Sequence, residues 1–310
     1  MSMDEQMRGI VEFIKTDMLK NLPHMRMLEN VVPVSGTRHT IPLEGRELGI
    51  VYYEADIPNA PLILGFHGGG FLFGGASLDD AMWCAVAKKL GANVVSVGYR
   101  MTPDFMWPAP IEDAYDTAVY MKAHAAEYGF DQTRISVMGC SAGANIAAAV
   151  SMYAKDHGNV AFDYQILVYP EVDCVTDPAA KPKGSLDIPM FYVFNELYVR
   201  PEDAAHKYCS PIMATEDDVK QLPIAIICLA ENDALMPEGK AYGEKLAAAG
   251  NTVYADIPEP DMPHGYFEYG FGGAEGQDFL SDTVKAQISD GSIGRCAAHS
   301  LEFIYAHFYK

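Results

Sequence analysis

Basic residues are scarce in this chain. Its 310 residues carry 22 Lys and Arg against 42 Asp and Glu, a formal charge of −20. Nucleic-acid phosphates and anionic membrane surfaces both call for a Lys/Arg-rich face, so neither is an expected partner. Long apolar runs are missing too. None approaches the ~18 residues a membrane-spanning helix needs. The opening residues MSMDEQ are acidic, and no apolar segment of the kind a secretory signal carries comes after them. Stable membrane insertion is therefore not expected. The six cysteines (Cys84, Cys140, Cys174, Cys209, Cys228 and Cys296) form no CxxC pair and show no zinc-like spacing with histidine. They read as reduced thiols, which points to a cytoplasmic address. No GxGxxG dinucleotide fingerprint, GxxxxGK[ST] phosphate loop, internal repeat or low-complexity stretch occurs. With 49% apolar and 21% charged residues, the chain has an ordinary globular composition.

What is present is an alternation of short apolar runs with longer helical patterns. Strands are expected over 61–66, 92–98, 134–138, 164–169, 223–229 and 252–257. Helices are expected over 79–90, 109–128, 144–155, 238–249 and 296–308, with Gly91, Gly129 and Gly250 as stops. Near the N-terminus, Met3, Met7, Ile10, Ile14 and Met18 recur at helical spacing. They predict an amphipathic helix that docks on the protein, on a partner or on a membrane, the acidic residues weighing against the last. Continuous apolar strands between helices predict an α/β fold, its mostly parallel sheet covered on both faces. Two regions break the pattern. The stretch 177–210 carries prolines and the aromatics Phe191, Tyr192, Phe194 and Tyr198. The stretch 270–295 is irregular and rich in Gly, Asp and Ser. Both read as insertions, and loops of this length are uncommon unless functional.

Gly139-Cys140-Ser141-Ala142-Gly143 fits GxSxG and falls between an expected strand and an expected helix, the setting a nucleophile elbow requires. The bland alternative is a Gly-Ser turn that caps a helix. His67-Gly68-Gly69-Gly70 directly follows the strand at 61–66, so consecutive glycine N–H groups can turn toward a developing anion. Asp233 follows the strand at 223–229, and His264 follows the last core strand. The chain order is then Ser, Asp, His. Glu231, Asp256 and Asp261 are rivals to Asp233.

Taken in order, HGGG (67–70), YRMTPD (99–104), PAPIEDAY (108–115), GCSAG (139–143), LVYPEVD (167–173), the segment 231–239 and PHGY (263–266) resemble the hormone-sensitive-lipase-like bacterial esterases of the α/β-hydrolase superfamily. The resemblance covers roughly residues 52–268. It implies Ser141 as nucleophile, His264 as base and Asp233 as acid, with the N–H groups of Gly69, Gly70 and Ala142 as an oxyanion hole. It implies no metal and no cofactor. It also implies a helical cap built from an N-terminal segment (1–45) and the insertion 177–210, on a core of 46–176 and 211–310. The family usually has Asp where this chain has Cys140, and the cysteine reads as a packed residue in preference to a redox group.

The expected reaction is hydrolysis of short-chain, acetyl-like esters through an acyl-enzyme, with a small-molecule ester as the partner. An amidase or peptidase on the same fold and a non-catalytic small-molecule binder are the alternatives. Phe191, Tyr192 and Phe194 are candidates for the substrate pocket. Family analogy also allows a homodimer through an edge strand near 252–257.

Overall fold

The computed structural model describes residues 5–273 and 280–310. Met3, named above for the N-terminal helix, lies outside them, as do 274–279 of the second insertion. Among the described residues, eight strands form one sheet. They are β1 (Thr37–Leu43), β2 (Arg46–Tyr53), β3 (Ala60–Phe66), β4 (Asn93–Val97), β5 (Phe130–Cys140), β6 (Tyr164–Val168), β7 (Ile224–Cys228) and β8 (Val253–Asp256). Their spatial order is β1-β2-β4-β3-β5-β6-β7-β8. β2 runs antiparallel to β1 and β4, and the remaining pairs are parallel.

Every residue of β3, β4 and β6 is buried, which explains why these strands read as unbroken apolar runs. Side chains alternate between two cores. Leu62 and Leu64 pack on one face with Ile111, Ala118 and Ala147 from the helices Ala109–Ala123 and Ala142–His157. Ile63 packs on the other with Trp83 and Val86 of the helix Asp80–Leu90 and Ile304 of the helix Ser292–His307. The sheet is thus covered on both sides, as expected.

Several boundaries differ from the sequence reading. β1 and β2 were not anticipated. β1 is an edge strand of polar, half-exposed composition interrupted by Pro42, so it lacks the apolar run that marks the central strands. It falls within 1–45, so 37–43 is sheet and not cap. The expected helix 109–128 breaks at His124 into two, Ala109–Ala123 and Ala125–Tyr128. The insertion 270–295 is more ordered than expected: it holds the helix Asp282–Ser289, whose N-cap Ser281 accepts the Val284 N–H, and the start of the C-terminal helix at Ser292.

The N-terminal helix, Glu5–Val31, continues well past the predicted stripe. It docks on the protein itself. Val11 clusters with Tyr192 and Val193 of the insertion helix Ile188–Tyr198, and Leu22 clusters with Leu72 and Phe194. Lys15 pairs with Glu196 at 2.9 Å. No described helix is long and apolar enough to cross a membrane.

Candidate active site

β5 ends at Cys140, and the next helix starts at Ala142, which leaves Ser141 alone in the turn. Its φ of 56° and ψ of −121° are unfavourable for an L-residue, a strain typical of functional turns. Two close approaches make this turn possible. A Cβ at Gly139 would overlap the Gly143 carbonyl, and a Cβ at Gly143 would overlap the Phe66 carbonyl at the end of β3. The glycines of GxSxG are therefore dictated by backbone contact.

Ser141 Oγ lies 2.9 Å from His264 Nε2, and His264 Nδ1 lies 2.7 Å from Asp233 Oδ2. With Nδ1–H donating to Asp233, Nε2 is free to accept the serine hydroxyl proton. Asp233 is buried, and its other oxygen accepts the Leu235 N–H at 3.0 Å. The two loops are tied to each other: Asn232 bridges to Pro263, and its N–H donates to the Met262 carbonyl at 3.0 Å. The rival acids lie elsewhere. Glu231 is exposed and accepts the Asp261 N–H, and Asp256 pairs with His299.

Burial works against protonation of His264. The Asp233 carboxylate, with Glu171 and Glu238 beyond it, overrides that effect and holds the imidazole above its ordinary 6.5.

The glycine loop lies against the serine turn. A Cβ on Gly68 would lie 3.3 Å from the Cys140 carbonyl oxygen and 3.6 Å from the Ser141 Cβ, and Gly69 and Gly70 take φ of 108° and 59°. Among the described residues, no protein acceptor takes the N–H of Gly69, Gly70 or Ala142. His67 anchors this loop from behind. It stacks on Tyr99 at 4.2 Å, its Nδ1 lies 2.8 Å from the Gly68 carbonyl, and the Tyr99 hydroxyl donates to the His67 carbonyl at 2.9 Å. Burial pushes its pKa down to about 4, so the ring is neutral at ordinary pH.

The three aromatics suggested for the pocket part company. The Phe194 ring lies over Gly70, where a Cβ would overlap it. Phe191 packs on Ala234 and Leu235 beside the acid loop. Tyr192 clusters with Val11 of the N-terminal helix, and its hydroxyl donates to Asp177, so it belongs to the helix–helix contact and not to a pocket. Cys140 is fully buried, and burial together with nearby Glu268 pushes its thiol well above the usual range, as suits a packed residue.

Ser185 and Lys181, which support the site, gave no sequence signal. Ser185 Oγ accepts the His264 backbone N–H at 2.7 Å, while the Ser185 N–H donates to the Asn232 carbonyl at 3.0 Å. Lys181 forms a buried ion pair with Glu238 and donates to the Asp173 carbonyl at 3.0 Å. Burial pushes Glu238 up to about 7 despite this cation. Ser185 and His264, and Lys181 and Glu238, are dozens of residues apart in the chain, pairings that no local pattern encodes. No described cluster of three or more His, Cys, Asp and Glu is arranged to hold a metal ion.

A family model for the alpha/beta hydrolase fold matches residues 63–268. The chain is 34% identical over 257 residues to Carboxylesterase NlhH of Mycobacterium tuberculosis, covering 80% of this chain and 77% of that protein. It belongs to the hormone-sensitive-lipase-like esterases of the α/β-hydrolase superfamily. An arylesterase of Saccharolobus solfataricus is 33% identical over 229 residues, covering 70% of this chain and 73% of the relative. Among solved structures, an esterase of Pyrobaculum calidifontis superimposes with a TM-score of 0.72 at 30% identity, covering 94% of each chain. The motifs that carried the resemblance all lie inside the matched segment.

Proposed function

We propose that this carboxylic ester hydrolase cleaves short-chain esters through an acyl-enzyme formed on Ser141. The observation that carries the reading is the unbroken chain from Asp233 through His264 to Ser141, at 2.7 and 2.9 Å. His264 Nε2 takes the hydroxyl proton as Ser141 Oγ attacks the ester carbonyl. Asp233 fixes the imidazole tautomer and stabilises the imidazolium. The carbonyl oxygen, now anionic, is received by the N–H groups of Gly69, Gly70 and Ala142, each such donor being worth roughly 3–4 kcal/mol to a transition state. His264 returns the proton to the departing alcohol, and water then repeats the cycle to release the acid.

The N-terminal helix and the insertion 177–210 form the cap in this reading, and the contacts between Val11 and Tyr192 and between Leu22 and Phe194 support it. Phe194 above the glycine loop favours a compact acyl space, which supports the short-chain preference. Ser141→Ala is expected to abolish p-nitrophenyl butyrate turnover and fluorophosphonate labelling with the fold unchanged. Retained turnover would sink the assignment. In an acyl series from acetate to decanoate, a maximum beyond octanoate would contradict the chain-length reading.

A further inference from the structure

Glu171 is a charged-type residue in a place that offers it no partner. It comes after β6, beyond Tyr169 and Pro170, and is only 2% exposed. Its backbone is bound to the serine turn from two sides. The Glu171 N–H lies 3.4 Å from the Ser141 carbonyl, and Asn145 Nδ2, on the helix after Ser141, donates to the Glu171 carbonyl at 2.8 Å. His264 and Asp233 both lie within electrostatic reach of its carboxyl. Yet Oε1 is fully enclosed without a hydrogen-bond partner among the described residues.

The nearest cation does not resolve this. Lys181 stabilises Glu171 through space, but its ammonium bonds to Glu238 and to the Asp173 carbonyl instead. Two neighbours are equally unserved. Among the described residues, the Tyr198 hydroxyl, on the insertion helix and within electrostatic reach of Glu171, has no partner, and neither has Asn145 Oδ1. Buried polar groups left unpaired cost free energy in the empty site, and a ligand group that pairs them recovers it. A single hydroxyl suits such a set, because it donates to a carboxyl oxygen and accepts from a phenol.

We propose that Glu171 is a specificity residue that accepts a hydrogen bond from a substrate hydroxyl, so that the enzyme selects hydroxyl-bearing small esters over their methyl isosteres. This rests on the esterase reading above. It goes beyond that reading by naming the chemical class of the preferred ester. The hydroxyl can sit on the acid side, as in a hydroxyacyl ester, or on the alcohol side, as in the monoacetate of a polyol. The recognising chemistry is the same for both.

The test compares kcat/KM within isosteric pairs, where only OH and CH3 differ. Ethyl glycolate against ethyl propanoate and ethyl 3-hydroxybutanoate against ethyl 3-methylbutanoate probe the acid side. 2-Hydroxyethyl acetate against propyl acetate probes the alcohol side. In the wild type, at least one pair is expected to favour the hydroxyl tenfold or more, mainly through KM. Glu171→Leu, of similar volume, should reduce that ratio at least tenfold, and Glu171→Gln, which keeps an acceptor oxygen, should retain most of it. Glu171→Ala is the second variant should Leu not fold. Ratios at or below one in all three wild-type pairs overturn the proposal, as does a preference that survives in both Glu171→Leu and Glu171→Ala. Turnover of p-nitrophenyl butyrate with the Ser141→Ala control reports separately on the esterase reading.

Discussion

Ser185 holds the backbone of His264: its Oγ accepts the His264 N–H at 2.7 Å, while its own N–H is bonded to the Asn232 carbonyl beside Asp233. One residue of the insertion thus spans the loops that carry the base and the acid. Ser185→Ala removes the side-chain half of that link. A hydrogen bond of this kind is worth about 1 kcal/mol, so kcat should fall roughly fivefold. KM and the thermal midpoint should move little, because water can reach the freed N–H. An unchanged kcat would show that the base loop holds its position without Ser185.

The pH dependence stems from the charges around His264. The imidazole must be neutral to accept the serine proton, and Asp233, Glu171 and Glu238 favour its charged form against the effect of burial. Activity is therefore lost as pH falls through a pKa above 6.5, and the acidic limb of kcat/KM should lie on that side. Asp233→Asn removes the nearest carboxylate and lets burial dominate. The limb should then move to lower pH, while kcat drops on the order of 10⁴-fold because the ring loses its enforced tautomer. A limb that stays in place, or moves up, contradicts this account.

His67 should make the fold acid-sensitive. Its pKa in the folded protein is about 4, against 6.5 for a free imidazole. Below pH 6.5 the unfolded chain binds a proton that the folded chain refuses. Stability is therefore lost as pH falls, and by pH 4 the loss from this group reaches about 3 kcal/mol. Above pH 6.5 both states carry a neutral ring, and the effect vanishes. His67→Gln cannot titrate. The difference in urea-unfolding free energy between it and the wild type should shift by about that amount from pH 7 to pH 4. A difference that stays flat with pH would remove His67 from the acid response.

The candidate site was readable wherever a backbone constraint left a local mark. Gly139 is required by a contact inside the turn, Gly143 by the close approach of the end of β3, and Gly69 and Gly70 take positive φ, so each constraint selects glycine at a fixed place in a short motif. Asp233 and His264 sit just past apolar strands and were found through the strands. Ser185 and Lys181 left no such mark, because they act on partners remote in the chain, and Glu171 was legible only as part of the LVYPEVD motif, with no role attached. Tyr192 was ambiguous for a related reason. An aromatic residue in an insertion looks the same whether it faces a ligand or, as here, another helix. In the fold, the buried central strands were legible, but β1 was not, since an exposed edge strand has little apolar pattern to display.

Lys181 and Ser185 lie four residues apart, at the entrance to the insertion, and both grip the core beside the triad. For the cap proposed above, a practical boundary therefore falls downstream of Ser185. An exchange of caps with a relative that cuts at 177 would remove two supports of the catalytic loops along with the lid. One that begins after Ser185 would carry over only the helix Ile188–Tyr198 and the remainder of the insertion, so substrate preference and catalytic competence could be varied independently.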